Sequence, residues 1–217
     1  MKRFVGPVLL SALGTVACAT PQSAEPPRAA ATPVDKTSGD LRSPAFFEAT
    51  VPDRVERSRA LFLEATRVFL HPRCVNCHPA GDSPMQGDAQ YLHDPPVWRG
   101  SEDRGVVGME CTSCHQDQKL DLARVPSAPM WRLAPRVMAW AGQSAHGICE
   151  QIKDPARNGG RTLDRIVEHS AHDPLVAWGW TPGAGRVPAP GTQALFAEIV
   201  RAWVESGAEC PAEEARR

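Results

Sequence analysis

The stretch that decides the fold is Cys74-Val75-Asn76-Cys77-His78, whose pattern recurs as Cys111-Thr112-Ser113-Cys114-His115. Each has the form CxxCH, which is typical of the attachment site of a c-type haem. Two thiols separated by two residues can each form a thioether with one vinyl group of the same porphyrin. The adjacent histidine then lies under the ring with a nitrogen on the iron. The sequence therefore predicts two covalently bound haem c groups, and the attachment and proximal-ligand residues are Cys74, Cys77, Cys111, Cys114, His78 and His115.

The same four cysteines also allow a zinc site with four thiolate ligands, or disulfides between the two motifs. A zinc ribbon usually has a shorter gap between its cysteine pairs, and it needs no histidine after each second cysteine. Disulfides are common in exported proteins, but they leave both histidines without a role. Because both pairs carry the histidine, the sequence favours haem over zinc and over disulfides.

The amino-terminal residues are typical of an export signal, since Lys2 and Arg3 precede an apolar run over residues 4–17. Residues 1–19 are predicted to be a signal peptide. Alternatively, residues 1–17 are a lipoprotein signal and Cys18 is the lipidated first residue. No later stretch is long and apolar enough for a transmembrane helix. We therefore expect a periplasmic protein, either free or anchored by lipid, which agrees with haem attachment after export.

Beyond the signal, residues 20–44 are rich in Pro, Ala, Ser and charged residues and are predicted to be a disordered linker. Residues 45–217 suit one di-haem cytochrome c domain. The 21 prolines and 17 glycines of the chain predict long irregular connections. The expected fold class is mainly α with extensive irregular loops, as a small cytochrome c-like domain wrapped around two covalent haems.

Apolar residues recur at helical spacing in four segments that begin at a capping residue. The predicted helices span Asp53 to Leu70, Ser144 to Lys153, Thr162 to Ala171 and Thr192 to Ser206. No strand pattern is evident. The Pro- and Gly-rich residues 79–108 and 120–140 are long for loops in a compact domain, and wrapping a haem would explain them.

Two further cysteines, Cys149 and Cys210, remain as an even pair in an oxidising compartment, and a disulfide between them is predicted. Two buried free thiols are the alternative. The 24 basic and 25 acidic residues nearly cancel. This balance offers no electrostatic basis for binding nucleic acid or an anionic membrane surface.

The second axial ligand of each iron decides the potential and the reactivity of the haem. His93 lies between the motifs, where the chain can fold back over a ring. His169 and His172 are three residues apart and can share a helix face, and His71 can reach the neighbouring haem. These four histidines are the distal candidates, ahead of His146. The alternative ligands are the methionines Met85, Met109, Met130 and Met138.

A pair of tryptophans, Trp178 and Trp180, is followed by a Gly- and Pro-rich segment. They allow an electron exit through aromatic rings, or plain packing on a porphyrin or on the last helix. Buried aromatic side chains dominate the energetics of most cores, so packing is the preferred interpretation.

From about Leu70 to Pro211 the chain resembles a family of bacterial exported di-haem proteins that are often labelled isoquinoline 1-oxidoreductase subunits. The resemblance lies in FLHPRCVNCHPAGD (69–82), GMECTSCH (108–115), IKDPARNGG (152–160) and PLVAWGWTPGAGRVPAPGTQ (174–193). It implies a molybdenum-containing hydroxylase as partner. It does not imply that activity for this chain, which has no cysteines left for an iron–sulfur cluster and no evident molybdopterin site.

We therefore expect an electron carrier that serves as haem subunit or acceptor of an exported dehydrogenase or molybdenum hydroxylase and passes electrons to a respiratory acceptor. No acid/base pair or nucleophile predicts a catalytic site. The alternatives are a di-haem peroxidase, which needs an iron with an open distal position, and a haem-based sensor or structural lipoprotein.

Overall fold

The structure is a computed structural model that describes residues 40–118 and 124–213. The predicted signal peptide, the possible lipid site at Cys18 and most of the predicted linker lie outside the described residues. Within them the fold is mainly helical, as expected from the sequence. No helix among these residues combines the length and the apolar character needed to cross a membrane.

Eight α-helices lie in the described parts of the chain. They are α1 (Pro44–Thr50), α2 (Arg54–Phe69), α3 (Pro72–Val75), α4 (Cys111–Cys114), α5 (Ala145–Lys153), α6 (Leu163–His172), α7 (Pro174–Ala177) and α8 (Gln193–Glu205). Short 3-10 turns span Arg136–Met138 and Trp178–Trp180.

The four predicted helices are confirmed to within a residue or so at each end, because their capping residues act as the sequence indicates. Asp53, Ser144, Thr162 and Thr192 each accept a hydrogen bond from the backbone N–H three residues later. Such a cap satisfies one of the backbone donors that the first turn leaves without a helical partner.

The core is built where α8 packs against α2 and α6. Trp203 and Phe62 are 1% and 0% exposed, and their ring centroids lie 4.9 Å apart. Burying such large apolar side chains is the main favourable contribution to folding. The core holds α2, which ends at Phe69, five residues before Cys74 of the first CxxCH motif.

The carboxyl-terminal segment is fastened to α5 by a disulfide between Cys149 and Cys210, the pairing that the sequence predicts. Their Cα atoms lie 5.6 Å apart, within the usual range for a disulfide. The bond closes a loop of 61 residues that contains α6 and α8.

Two features differ from the expectation. The end of the predicted linker is packed, because Leu41 is buried in the core and the Arg42 N–H donates to Glu64 Oε1 at 3.0 Å. Four two-residue strands also form two antiparallel hairpins: β1 (Met85–Gln86) with β2 (Tyr91–Leu92), and β3 (Gly105–Val106) with β4 (Met109–Glu110). Pairs this short leave no alternating pattern in a sequence.

Gly105 is required at the second hairpin. Its φ is +99°, and a Cβ there would collide with the Met109 carbonyl oxygen of the partner strand. Only glycine combines that backbone conformation with so close an approach.

Candidate functional site: two CxxCH turns and a shared pocket

The first motif begins just after α2 ends. Pro72 starts α3, and His71 caps it by accepting a hydrogen bond from the Arg73 N–H at 3.2 Å. The helical turn continues through the motif, since the His78 N–H donates to the Cys74 carbonyl at 3.2 Å. Residues three and four apart share one side of a helical turn. The turn therefore presents both thiols and the His78 imidazole to the same space.

His78 is held in one orientation. Its Nδ1 lies 2.7 Å from the Met138 carbonyl, and its ring stacks on Trp140 at 3.4 Å between centroids, with 6° between the planes. Because a carbonyl only accepts, Nδ1 carries the proton and Nε2 keeps its lone pair. Burial lowers the pKa of His78 to about 3. A neutral imidazole with a free Nε2 is the form that binds a metal.

The second motif repeats this arrangement on a loop. Cys111 to Cys114 form α4, and the His115 N–H donates to the Cys111 carbonyl at 2.9 Å. His115 Nδ1 lies 2.8 Å from the Pro126 carbonyl, and the ring stacks on Trp131 at 4.4 Å with 5° between the planes. Burial lowers the pKa of His115. Both motifs thus pair a carbonyl-bound Nδ1 with a tryptophan face.

A pocket that is partly open to solvent lies over the first motif. Cys74, Cys77 and His78 line it, together with apolar side chains and with His169 from α6. The apolar lining includes Val68, Phe69, Leu133, Ile152, Ile166 and Phe196.

His169 is oriented by a carboxylate. Its Nδ1 lies 3.0 Å from Asp173 Oδ2, and Asp173 also accepts hydrogen bonds from two backbone N–H groups at the start of α7. Burial alone would raise the pKa of Asp173, but the hydrogen bond from His169 and those from the backbone outweigh it, so that the pKa lies below its ordinary value. The ionised Asp173 therefore holds the proton of His169 on Nδ1 and leaves Nε2 available in the pocket.

His93 lies beside the second motif. Its ring centroid is 5.8 Å from that of His115, at 67° between the planes. Two imidazoles that bind one metal ion through bonds of about 2 Å from opposite sides have centroids about 6 Å apart. His93 Nδ1 lies 2.8 Å from the Pro95 carbonyl, so Nε2 is the free nitrogen here too.

The other distal candidates lie elsewhere. His71 uses Nδ1 as an acceptor to cap α3, so its neutral form carries the proton on Nε2 and has no free lone pair for iron; burial lowers its pKa to about 4. His172 is exposed, with its Nε2 3.8 Å from Glu168. His146 Nδ1 bonds the Pro211 carbonyl.

Of the candidate methionines, Met130 and Met138 line the pocket, and Met138 also supplies the carbonyl that holds His78.

The two sites are neighbours. Trp178 lines the pocket over the first motif and packs edge-on against Trp131 at 5.0 Å, and Trp131 stacks on His115. Burial, and to a smaller extent the nearby Cys111, raise the pKa of Cys77 to about 11. Trp180 instead packs on Phe196 and donates its indole N–H to Pro190. Packing thus accounts for Trp180, while Trp178 lies between the sites.

The residues present fit two haems. All four motif cysteines are free thiols, so they remain available for thioethers. Burial raises the pKa of Cys74 to about 12, so this thiol is protonated. No group of three or more His, Cys, Asp or Glu side chains in residues 40–118 and 124–213 is arranged to hold a metal ion. A porphyrin iron needs only two protein ligands.

Sequence reasoning missed three supporting groups. Asp173 follows His169 by four residues, a spacing that places two helical residues side by side and offered a signal. Trp131 and Trp140 carried none, because only the folded chain brings each indole against a histidine of another segment.

Comparison with known proteins identified no relative. The chain matches no model of a protein family, no curated protein and no solved structure.

Proposed function

We propose that this protein is a periplasmic di-haem c-type cytochrome that transfers electrons. The observation that carries the proposal is the repeated geometry of the two motifs. In each, a helical turn presents two thiols and a histidine whose Nδ1 is held by a backbone carbonyl, and a second histidine with a free Nε2 lies in the same pocket or beside the ring.

Cys74 and Cys77 would hold one haem, and Cys111 and Cys114 would hold the other. Each thiol would add across a vinyl group of the porphyrin, so that a carbon–sulfur bond forms and the thiol hydrogen goes to the other vinyl carbon. The irregular segments around residues 79–108 and 124–140 would then cover the two porphyrins beside a mainly helical core.

His78 and His169 would hold the iron at the first site, and His115 and His93 would hold it at the second. When bound, each haem supplies a one-electron iron(III)/iron(II) couple. The chain orients the four Nε2 atoms through hydrogen bonds at Nδ1, which fix the tautomer and raise the basicity of a metal-bound imidazole. Trp140 and Trp131 support the proximal rings, and the Trp131–Trp178 pair fills the space between the sites.

Paired histidines favour electron transfer over peroxidase chemistry. A peroxidase needs an iron with an open or displaceable position, whereas both sites here have a second histidine within reach. The partners that fit are an exported dehydrogenase or molybdenum hydroxylase as donor and a respiratory acceptor. Both are supported by the export signal and the family resemblance of the sequence.

The test is a spectroscopic redox titration of the exported, purified protein. We expect two haems per chain by mass and by haemochrome absorbance, low-spin spectra in both oxidation states, and two reversible one-electron steps. A colourless protein, or one that carries zinc, would contradict the proposal. Turnover of hydrogen peroxide with a high-spin resting spectrum would favour the peroxidase.

A further inference from the structure

Arg99 is a buried arginine whose guanidinium joins its own loop to two other segments of the chain. Its side chain is 6% exposed. Nη1 donates to the Asp103 carboxylate and to the Ala134 carbonyl, and Nη2 donates to the Gly81 carbonyl at 3.3 Å. A guanidinium has five N–H donors in a rigid, planar fork. It can therefore hold acceptors from several segments at once, in a geometry that its own shape fixes.

One of these segments is also bonded to the first motif. The Ala134 N–H donates to the Cys77 carbonyl at 3.0 Å, while the Ala134 carbonyl accepts from Arg99. Trp131, three residues earlier, stacks on His115, so the same segment supports the second site as well. Hydrogen bonds from a charged donor are stronger than those between neutral groups. We therefore expect the position of this segment to depend on Arg99.

The backbone of Arg99 is bonded to the segment that leads into the second motif. The Gly105 N–H, in β3, donates to the Arg99 carbonyl at 2.9 Å. The Cys111 N–H donates to the Arg104 carbonyl at 2.8 Å. A continuous series of hydrogen bonds thus runs from the first motif to the second, and Arg99 lies in the middle of it.

The loop that carries Arg99 lies close against β3. Gly100 has a φ of +67°, and a Cβ added there would collide with the Gly105 carbonyl oxygen. Gly108, in the turn of the same hairpin, also has a positive φ, but a Cβ there would meet no atom of the described residues within 4 Å. Alanine at either position strains the backbone, and only alanine at Gly100 also disturbs the contact with β3.

We propose that Arg99 is a positioning residue that sets the spacing and the relative orientation of the two haem attachment sites. The proposal rests on the function proposed above, because it requires a haem at each motif. Arg99 acts on the first motif through Ala134 and on the second through Gly105. Groups held by buried, locked side chains keep one geometry. The rate of electron transfer falls steeply with distance, so a fixed spacing serves transfer between the two haems.

The experiment measures the haem content and the Soret circular dichroism of exported holoprotein. Two haems held close together couple their Soret transitions and give a couplet of positive and negative bands, whose amplitude depends on the distance and the angle between the rings. Arg99→Gln and Arg99→Lys are compared with the unmodified chain. Arg136→Gln is the control, because Arg136 pairs with Asp82, which also lies 3.7 Å from Arg99 Nε, but is 59% exposed on its side chain.

We expect Arg99→Gln to retain both haems and to lose most of the couplet, because the shorter amide cannot hold the same acceptors. Arg99→Lys keeps the charge but offers a single nitrogen, so its couplet should also weaken. Arg136→Gln should leave the couplet unchanged. An unchanged couplet in Arg99→Gln overturns the proposal even if the melting temperature falls, because Arg99 would then only stabilise the fold. A full couplet in Arg99→Lys overturns it too, because the charge alone would then suffice.

Gly100→Ala decides the matter if neither Arg99 variant retains both haems. The added Cβ should push β3 away from Arg99 and change the couplet, whereas Gly108→Ala should leave it as in the unmodified chain. The same couplet in both glycine variants overturns the proposal, as does the absence of any couplet from unmodified protein that carries both haems. Absence of haem from the unmodified protein would instead contradict the proposed function, so the two failures are distinguishable.

Discussion

The two CxxCH turns are alike in sequence and differ in surroundings. The first continues from α2 and faces a pocket lined by core residues, with His169 supplied by a helix and backed by Asp173. The second lies on a loop, where Cys114 is exposed and His93 is held by the Pro95 carbonyl. The same motif thus presents the same two thiols and histidine, while the surrounding chain decides how much solvent reaches them. We expect the first site to be the more rigid and the second to be the one open to redox partners.

The largest expected effect comes from removing the attachment thiols. Cys74→Ala with Cys77→Ala should reduce the haem content from two to one per chain and lower the melting temperature markedly, because a core-lined pocket loses its ligand. Cys111→Ala with Cys114→Ala should also remove one haem but lower the melting temperature less. Haemochrome absorbance and calorimetry measure both. Equal losses of stability would contradict the contrast between a core-lined and a loop-borne site.

The second-largest effect is expected from replacing the proposed distal histidine of each site. His169→Ala and His93→Ala should each convert one haem from low spin to high spin, because each removes one of the proposed ligands from a different iron. His172→Ala is the matched control, since His172 is on the same helix as His169 and is 70% exposed on its side chain. Absorption and electron paramagnetic resonance spectra measure the conversion. Retention of two low-spin haems in either variant would refute that ligand assignment.

The disulfide should affect the first site more than the second. The 61-residue loop that it closes includes His169, whereas His93 and Trp131 lie outside it. Replacing Cys149 and Cys210 by Ser should lower the free energy of unfolding by about 4 kcal/mol in the chain-entropy description. Denaturant unfolding measures this loss. When the variant without the disulfide is partly denatured, His169 should leave its iron before His93 leaves the other. The reverse order would contradict the prediction.

Asp173→Asn should have a smaller effect on the first site. The amide still holds the His169 ring but carries no charge, so the imidazole becomes a weaker donor to the iron and one midpoint potential should rise. The second potential should not change, because both of its histidines are held by backbone carbonyls. A redox titration of the variant measures both values. A shift of both potentials would show that the two sites are not independently tuned.

The smallest effect is a pH dependence of the haem-free chain. Burial lowers the pKa of His78 to about 3, below the value of about 6.5 of an unfolded histidine. His78 is therefore neutral when folded and binds a proton on unfolding, so its contribution is complete above about pH 6.5 and is lost as the pH falls toward 3. Melting temperatures of protein made without haem attachment should fall over this range. In His78→Gln the decline of the melting temperature should be shallower. An unchanged slope would show that protonation of His78 is not the cause of the decline.

Much of the helical framework was predictable because it depends on local chemistry. The four long helices carry their caps and their apolar stripes within a dozen or so residues, and the structure places them accordingly. The packing of Leu41 was not predictable. The surrounding sequence has the composition of a linker, and only the folded structure brings Leu41 against the core near Gly191.

The candidate site divides in the same way. By itself, the sequence determined the two thiol pairs, the two adjacent histidines and a short set of distal candidates, since these follow from spacing along the chain. Only the tertiary structure placed His169 over the first motif and His93 beside the second, turned His71 into a helix cap, and brought Trp131, Trp140 and Arg99 to the sites. The reason is physical: spacing within one turn is a local property, whereas the neighbour that a ring or a guanidinium meets depends on how distant segments pack.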